Sequence, residues 1–250
     1  MTARNWDFSS FDGVNLKIHE TGKGRALILL HGLFSNAETN WIKFGHAQLL
    51  ADAGFRVIMP DLRAHGESDA PHDPAAYPAD VLVKDIEALI ADLGLTDFDL
   101  GGFSLGARTT AKLLATGTSP RKAILAGMGL QGLSGWARRR DFFFQAIDTR
   151  DTAKRGDPHW LAIQFMKSQK IDPVAATLLL DTFSDMDPEE AASIETDTLV
   201  LCGSEDDDNG DPEELAAILL NGHYVAIPGT HMSSVTKAEL GQEMVRFLAG

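Results

Sequence analysis

Ser104 sits in the run Gly102-Phe103-Ser104-Leu105-Gly106, a setting in which a hydroxyl can act as a nucleophile. The run closes the apolar stretch Phe98-Asp99-Leu100-Gly101-Gly102-Phe103 and leads into Ala107-Arg108-Thr109-Thr110-Ala111-Lys112-Leu113-Leu114, which reads as a helix. A nucleophile in a sharp strand-to-helix turn takes strained backbone angles, and flanking glycines keep side chains from clashing there. The start of the helix adds a positive dipole under developing negative charge. The bland alternative is a glycine-rich strand end with an incidental serine.

A serine hydroxyl needs a base within hydrogen-bond reach. Eight histidines compete for that role. His19, His46, His72 and His159 read as surface or loop residues, whereas His31 precedes Gly32 and His65 lies in Arg63-Ala64-His65-Gly66. His231, in Pro228-Gly229-Thr230-His231-Met232, follows the last strand-like run and precedes the last helix. That is the carboxyl end of a strand, where ligands bind in open α/β sheets. His223 begins the same strand and belongs at the opposite edge. The base in turn needs an acid to hold its tautomer. Glu205-Asp206-Asp207-Asp208 offers four carboxylates after another strand, and spacing alone selects none of them.

These residues require a frame that brings distant loops to one edge. Residues 5–20 alternate polar and apolar around Asp12-Gly13, which predicts a β-hairpin. Residues 26–30 are continuously apolar, as strands buried on both faces are; 55–59, 98–103, 123–126 and 198–202 repeat that character, and 224–227 is a last candidate. Helical periodicity over 41–53, 79–93, 105–116, 212–220 and 234–248 separates them. The alternation predicts a mostly parallel, doubly wound α/β sheet with helices on both faces. Residues 130–195 interrupt it with helix formers and seven aromatics, among them Phe142-Phe143-Phe144. Asp-Pro pairs at 157–158, 172–173 and 187–188 punctuate helix starts there. Core packing is the expected role of most of these aromatics, and Arg138-Arg139-Arg140 reads as a solvated face.

The 250 residues suit one domain, and a formal charge of −14 opposes binding to nucleic acid or anionic membranes. Cys202, the single cysteine, lies in a strand and excludes an intrachain disulfide. The N-terminus, Met1 to Asp7, lacks a leader-like apolar core, and no apolar run reaches membrane-spanning length, so a cytoplasmic location is expected. No paired His-x-x-x-His spacing suggests a metal.

The chain resembles the α/β-hydrolase family over nearly its whole length. His31-Gly32, the G-x-S-x-G run at 102–106, the Gly203-to-Asp206 turn and Gly229-Thr230-His231 match its motifs, in its chain order of Ser, Asp, His. The resemblance implies a sheet of about eight strands, a core of residues 1–129 and 196–250, and a helical cap at 130–195. It implies Asp206 as the orienting acid, with Asp207 next, and an oxyanion hole from the backbone N–H groups of Leu33 and Leu105. Residues 60–69 resemble a family loop braced by Asp61 and Arg63. Ala64 stands where that loop usually has glycine, which argues against its most glycine-dependent turn.

The expected activity is hydrolysis of a small carboxylic ester through an acyl-enzyme, with no metal or organic cofactor. The substrate is expected to be an uncharged small molecule with a short to medium acyl group; the oligomeric state is left open. Carbon–carbon bond hydrolysis of a ring-cleavage diketone and a slow-turnover ligand receptor are the alternatives. Epoxide hydrolysis and dehalogenation are disfavoured, because relatives that perform them carry a carboxylate at the place of Ser104.

Overall fold

The computed structural model describes residues 4–250; Met1, Thr2 and Ala3, at the head of the expected leader-free segment, lie outside the described residues. Strands β1 (Arg4–Ser9) and β2 (Asn15–Gly22) form the expected antiparallel hairpin, with Phe8 opposite Leu16. The remaining strands are β3 (Arg25–Leu30), β4 (Phe55–Pro60), β5 (Phe98–Phe103), β6 (Lys122–Ala126), β7 (Asp197–Gly203) and β8 (Gly222–Ile227). They complete one eight-stranded sheet in the order β1-β2-β4-β3-β5-β6-β7-β8. β2 pairs antiparallel with β4, and the strands from β4 onward in that order pair parallel.

Side-chain alternation explains why the central strands are mostly apolar, with Asp99 of β5 buried against Arg25. Leu27 and Leu29 pack with Trp41, Leu50, Leu240 and Met244, which places α1 (His46–Asp52) and α11 (Ala238–Ala249) on one face. Ile28 and Leu30 pack with Val81, Ile86, Leu89 and Leu113, from α2 (Val81–Asp92) and α3 (Leu105–Ala115) on the other. Burial of roughly 25 cal/mol per Å² of apolar surface on both faces is the main force holding these layers.

Two expected helices are divided. Residues 38–42 form a single wide turn, Gly45 takes φ 82°, and α1 starts only at His46. After α9 (Pro212–Ile218), between β7 and β8, the final helix is preceded by the short α10 (His231–Ser234), which Thr230 caps through its hydroxyl.

Between β6 and β7 the chain forms α4 (Leu130–Ser134), α5 (Trp136–Asp148), α6 (Trp160–Ser168), α7 (Pro173–Leu180) and α8 (Pro188–Ala192). Asp172 and Asp187 cap α7 and α8 as their Asp-Pro pairs predict. The pair at 157–158 instead makes a turn, and α6 begins two residues later with Trp160 N–H donating to the Asp157 carbonyl. These helices share a small core of Trp136, Ile163, Met166 and Leu180, sealed against Phe34. Arg108 of α3 ties them down: it donates to the carbonyls of Gly132 and Leu133 at 2.9 Å each, and to that of Ser184. One buried guanidinium therefore ties α4 to the segment between α7 and α8.

The loop after β4 is braced as expected. Asp61 accepts from Ala37 N–H at 2.8 Å and Glu67 N–H at 2.9 Å, and buried Arg63 pairs with Asp12 and Asp85. The inference from Ala64 fails: it adopts φ 66°, the left-handed form that glycine usually supplies. Its N–H donates to Asp69 and the neighbouring His65 N–H to Leu62, so surrounding bonds hold the strained angle.

Candidate active site

Ser104 joins β5 to α3 with φ 53° and ψ −110°. Its N–H donates to Ala126 O at 2.8 Å, and its carbonyl accepts from Arg108 N–H at 2.9 Å, which fixes both flanks of the turn. The glycines are required by close approach. A Cβ on Gly102 would lie 2.3 Å from the Gly106 carbonyl carbon, and one on Gly106 would lie 2.1 Å from Leu30 O. Strand, turn and helix meet there only because both positions lack a side chain.

Three distant loops converge on the serine. His231 Nε2 lies 3.0 Å from Ser104 Oγ, and His231 Nδ1 lies 2.8 Å from Asp206 Oδ2. Asp206 is buried, whereas Glu205, Asp207 and Asp208 are exposed. The loop folds this way because Glu205 N–H donates to Gly229 O and Asp206 N–H to Gly203 O, both at 3.0 Å. With Asp206 accepting the Nδ1 proton, the Nε2 lone pair faces the serine hydroxyl, the tautomer a general base needs. Asp206, Asp208 and His231 also place ligand-type atoms within 4.8 Å of one another. The Asp206–His231 hydrogen bond already uses Nδ1, so a cation there would have to displace it.

Leu33, in the loop after β3, and Leu105, at the start of α3, flank Ser104. Among the described residues Leu33 N–H makes no hydrogen bond, and Leu105, as first residue of its helix, has no acceptor one turn back. The strand-end loop carrying Leu33 is held from behind. Gly32 N–H donates to Asn40 Oδ1, Phe34 N–H to His65 Nε2, and Leu62 N–H to His31 Nε2, at 2.9–3.0 Å. Both imidazoles must stay neutral to accept, and burial does this: it holds His31 below the ordinary histidine range and pulls His65 down to about 3.

Sequence reasoning missed Asn40, because a buried asparagine in a helix-like stretch gives no pattern signal. Two of the four histidines read as surface are buried: His19 faces Asp61 at 3.3 Å, and His46 reaches Val235 O at 2.7 Å.

Two spaces open beside Ser104. One, of about 190 Å³, is lined chiefly by Leu33, Phe44, Phe103, Phe165, Met232 and Val235. The other is only about 30 Å³, beside Leu105, Trp136, Arg139, Phe143 and Asn209. The 100° step of a helix splits both runs on α5. Phe143 packs on Trp136 and Phe34, while Phe142 is exposed and Phe144 lies under Arg140. Arg140 pairs with Asp181 and Arg138 is exposed, but Arg139 is half-buried beside the second space, so the three arginines are not one solvated face.

Comparisons with known proteins agree with this architecture. Epoxide hydrolase 2 of Siraitia grosvenorii is 36% identical over 99 residues, 39% of this chain but only 30% of that protein, so the chain spans under a third of that relative. An esterase from Exiguobacterium antarcticum superposes with a TM-score of 0.81 at 20% identity, covering 99% of this chain and 100% of its own. An enol-lactonase from Burkholderia xenovorans LB400 gives 0.75 at 20% identity, covering 98% and 100%. At such identities the two structures show a shared fold. No helix among the described residues is long and apolar enough to cross a membrane. The alpha/beta hydrolase fold profile matches residues 25–161, more than half of the chain, from the start of β3 through the Ser104 turn into α6. The chain belongs to the α/β hydrolase fold family.

Proposed function

We propose that the protein hydrolyses a small carboxylic ester through an acyl-enzyme, with Ser104 as nucleophile, His231 as general base and Asp206 as its orienting acid. The observation that carries this reading is the unbroken hydrogen-bonded run from Ser104 Oγ through both ring nitrogens of His231 to Asp206. Ser104 Oγ attacks the carbonyl carbon as its proton passes to His231 Nε2. The oxyanion is held by the free N–H groups of Leu33 and Leu105, and each such donor typically contributes about 3–4 kcal/mol to the transition state. His231 then protonates the departing alcohol, the acyl group stays on Ser104, and water activated by the same imidazole releases the acid. Helices α4 to α8, residues 130–195, act as a cap that shields this step from bulk water.

The matching segment of an epoxide hydrolase does not carry that activity over. A carboxylate that opens an epoxide leaves an ester, which water can cleave. Serine would leave an alkyl ether, with no carbonyl for the activated water to attack, so turnover would stop after one event.

The acyl group is placed in the apolar space of about 190 Å³, which limits its length. With p-nitrophenyl esters from acetyl to palmitoyl, kcat/KM is expected to peak at or below about eight carbons and to fall at least about tenfold by palmitoyl. A steady rise to palmitoyl would mean an open groove and would remove the short-ester reading.

A further inference from the structure

The residues around the small space between Ser104 and α5 leave three hydrogen-bonding groups without partners. Arg139 makes no hydrogen bond and no ion pair within the described residues, although Arg108 and Arg140, which flank it in space and in sequence, both do. Trp136 is 8% exposed and its indole Nε1–H is buried without an acceptor. Asn209 is 3% exposed; its Nδ2 donates to Gly127 O at 2.8 Å, but its Oδ1 is buried without a donor. Folded proteins leave few buried groups like the Trp136 N–H and the Asn209 Oδ1 unmatched, and each one needs a reason. Here all three line the space that also holds Ser104, Leu33 and Leu105.

Arg139 keeps contact with solvent, but no group among the described residues pairs with its charge. The side chain is half-buried, its guanidinium lies 5.7 Å from the centre of the Phe143 ring, and burial pulls it below the usual arginine range. Asp206 and Asp208 are the carboxylates that act on it, yet neither comes within ion-pair distance, and Asp206 is already engaged by His231. The positive charge beside the reacting centre is therefore available to a ligand.

We propose that this space is a carboxylate subsite, and that the natural substrate is a short ester bearing a free carboxylate near its scissile carbonyl. This rests on the acyl-enzyme reading for where that carbonyl lies. Arg139 would take the carboxylate with its planar fork, and Trp136 Nε1 would donate to the same group. A hydroxyl or N–H next to the carboxylate would find Asn209 Oδ1. At about 30 Å³, against about 190 Å³ across the serine, the space admits a charged head on a short stem and no long chain. An acyl group that carries the carboxylate thus turns into this space, and the alcohol takes the larger space that an uncharged acyl chain would fill. A chain of net charge −14 repels anions at encounter, so selection of an anionic substrate must be made locally, by Arg139 with the buried Arg108, which also lines this space but is bonded to carbonyls, behind it. The expectation of an uncharged substrate, which rests on an apolar cap and only modestly on the net charge, is the reading this subsite replaces.

The test compares monoethyl succinate with ethyl pentanoate, followed as ethanol release, in the wild type and in Arg139→Gln. Succinate binding to Ser104→Ala, with and without Arg139→Gln, is measured in parallel by calorimetry. The wild type is expected to favour monoethyl succinate about tenfold or more in kcat/KM. Arg139→Gln should lower that ratio about tenfold to a hundredfold, mainly through the KM of the anionic ester, and should weaken succinate binding by about tenfold or more. Should Arg139→Gln fail to fold, Trp136→Phe, which keeps the ring and removes the N–H, should still lower the ratio severalfold. A wild-type preference for ethyl pentanoate, or a ratio and succinate affinity unmoved by these substitutions, overturns the subsite. Succinate binding that depends on Arg139 without turnover of either ester would leave the subsite standing and remove the ester reading instead.

Discussion

Replacing Ser104 with alanine is expected to lower kcat on any ester the protein turns over by roughly 10⁵–10⁶-fold, the scale seen when a serine nucleophile is removed. The loss is chemical rather than structural. Alanine is smaller than serine, and it accepts φ 53° with the same strain that serine already bears. The N–H bond to Ala126 and the carbonyl bond from Arg108 N–H are backbone contacts that survive the change. What disappears is the Oγ placed 3.0 Å from His231 Nε2. Residual turnover would come from the Leu33 and Leu105 N–H groups alone. Steady-state kinetics beside a thermal melt checks both halves: activity collapses while the melting temperature stays within a few degrees of the wild type, an effect of roughly 1 kcal/mol or less. Near-normal turnover by this variant would remove the nucleophile assignment.

Asp206→Asn is expected to lower kcat by about 10⁴-fold, whereas Asp207→Asn and Asp208→Asn change it by no more than severalfold. The side chain of Asp206 is buried and accepts the His231 Nδ1 proton at 2.8 Å. An amide at that position can donate to Nδ1 instead, which turns the Nε2 side of the ring into an N–H and removes the lone pair facing Ser104. Asp207 and Asp208 are exposed, and a charge screened by solvent acts weakly on a group it does not touch. The three variants are compared by kcat on one ester at a pH where the wild type is fully active. If Asp207→Asn proves the damaging change, the orienting acid lies one residue later than the geometry places it.

How much of this was legible in the sequence follows from the range of the forces involved. The strands around Leu27–Leu30 and Leu199–Leu201 could be read because burial on both faces demands unbroken apolar runs. The Ser104 turn could be read because two glycines bracket it between a strand and a helix. The interruption at Gly45 was hidden, since residues 41–53 keep helical periodicity while Gly45 takes φ 82°. Ala64 misled for a related reason: residue type sets the cost of a left-handed angle, but bonds to Asp69 and Leu62 decide whether that cost is met.

Within the candidate site, His231 was recognisable from its place after β8. The choice among four neighbouring carboxylates was not, because it depends on Glu205 N–H reaching Gly229 O across the sheet edge. Three consecutive arginines give no hint of which one faces the serine; only the packing of α5 on Phe34 through Phe143 turns Arg139 inward and leaves Arg140 to Asp181. The buried His31 and His65, which accept from the backbone behind Leu33, likewise depend on contacts 31 residues apart.

The central claim, that Ser104 is the activated nucleophile, is tested most directly by intact-mass spectrometry after exposure to a small fluorophosphonate. This reagent phosphonylates an activated serine and loses fluoride, so each adduct adds one fixed mass. The account predicts a single adduct on the wild-type protein, located by proteolysis to the peptide carrying Ser104, and no adduct on Ser104→Ala under the same conditions. An unmodified wild-type protein, or an adduct that persists on Ser104→Ala, would contradict it.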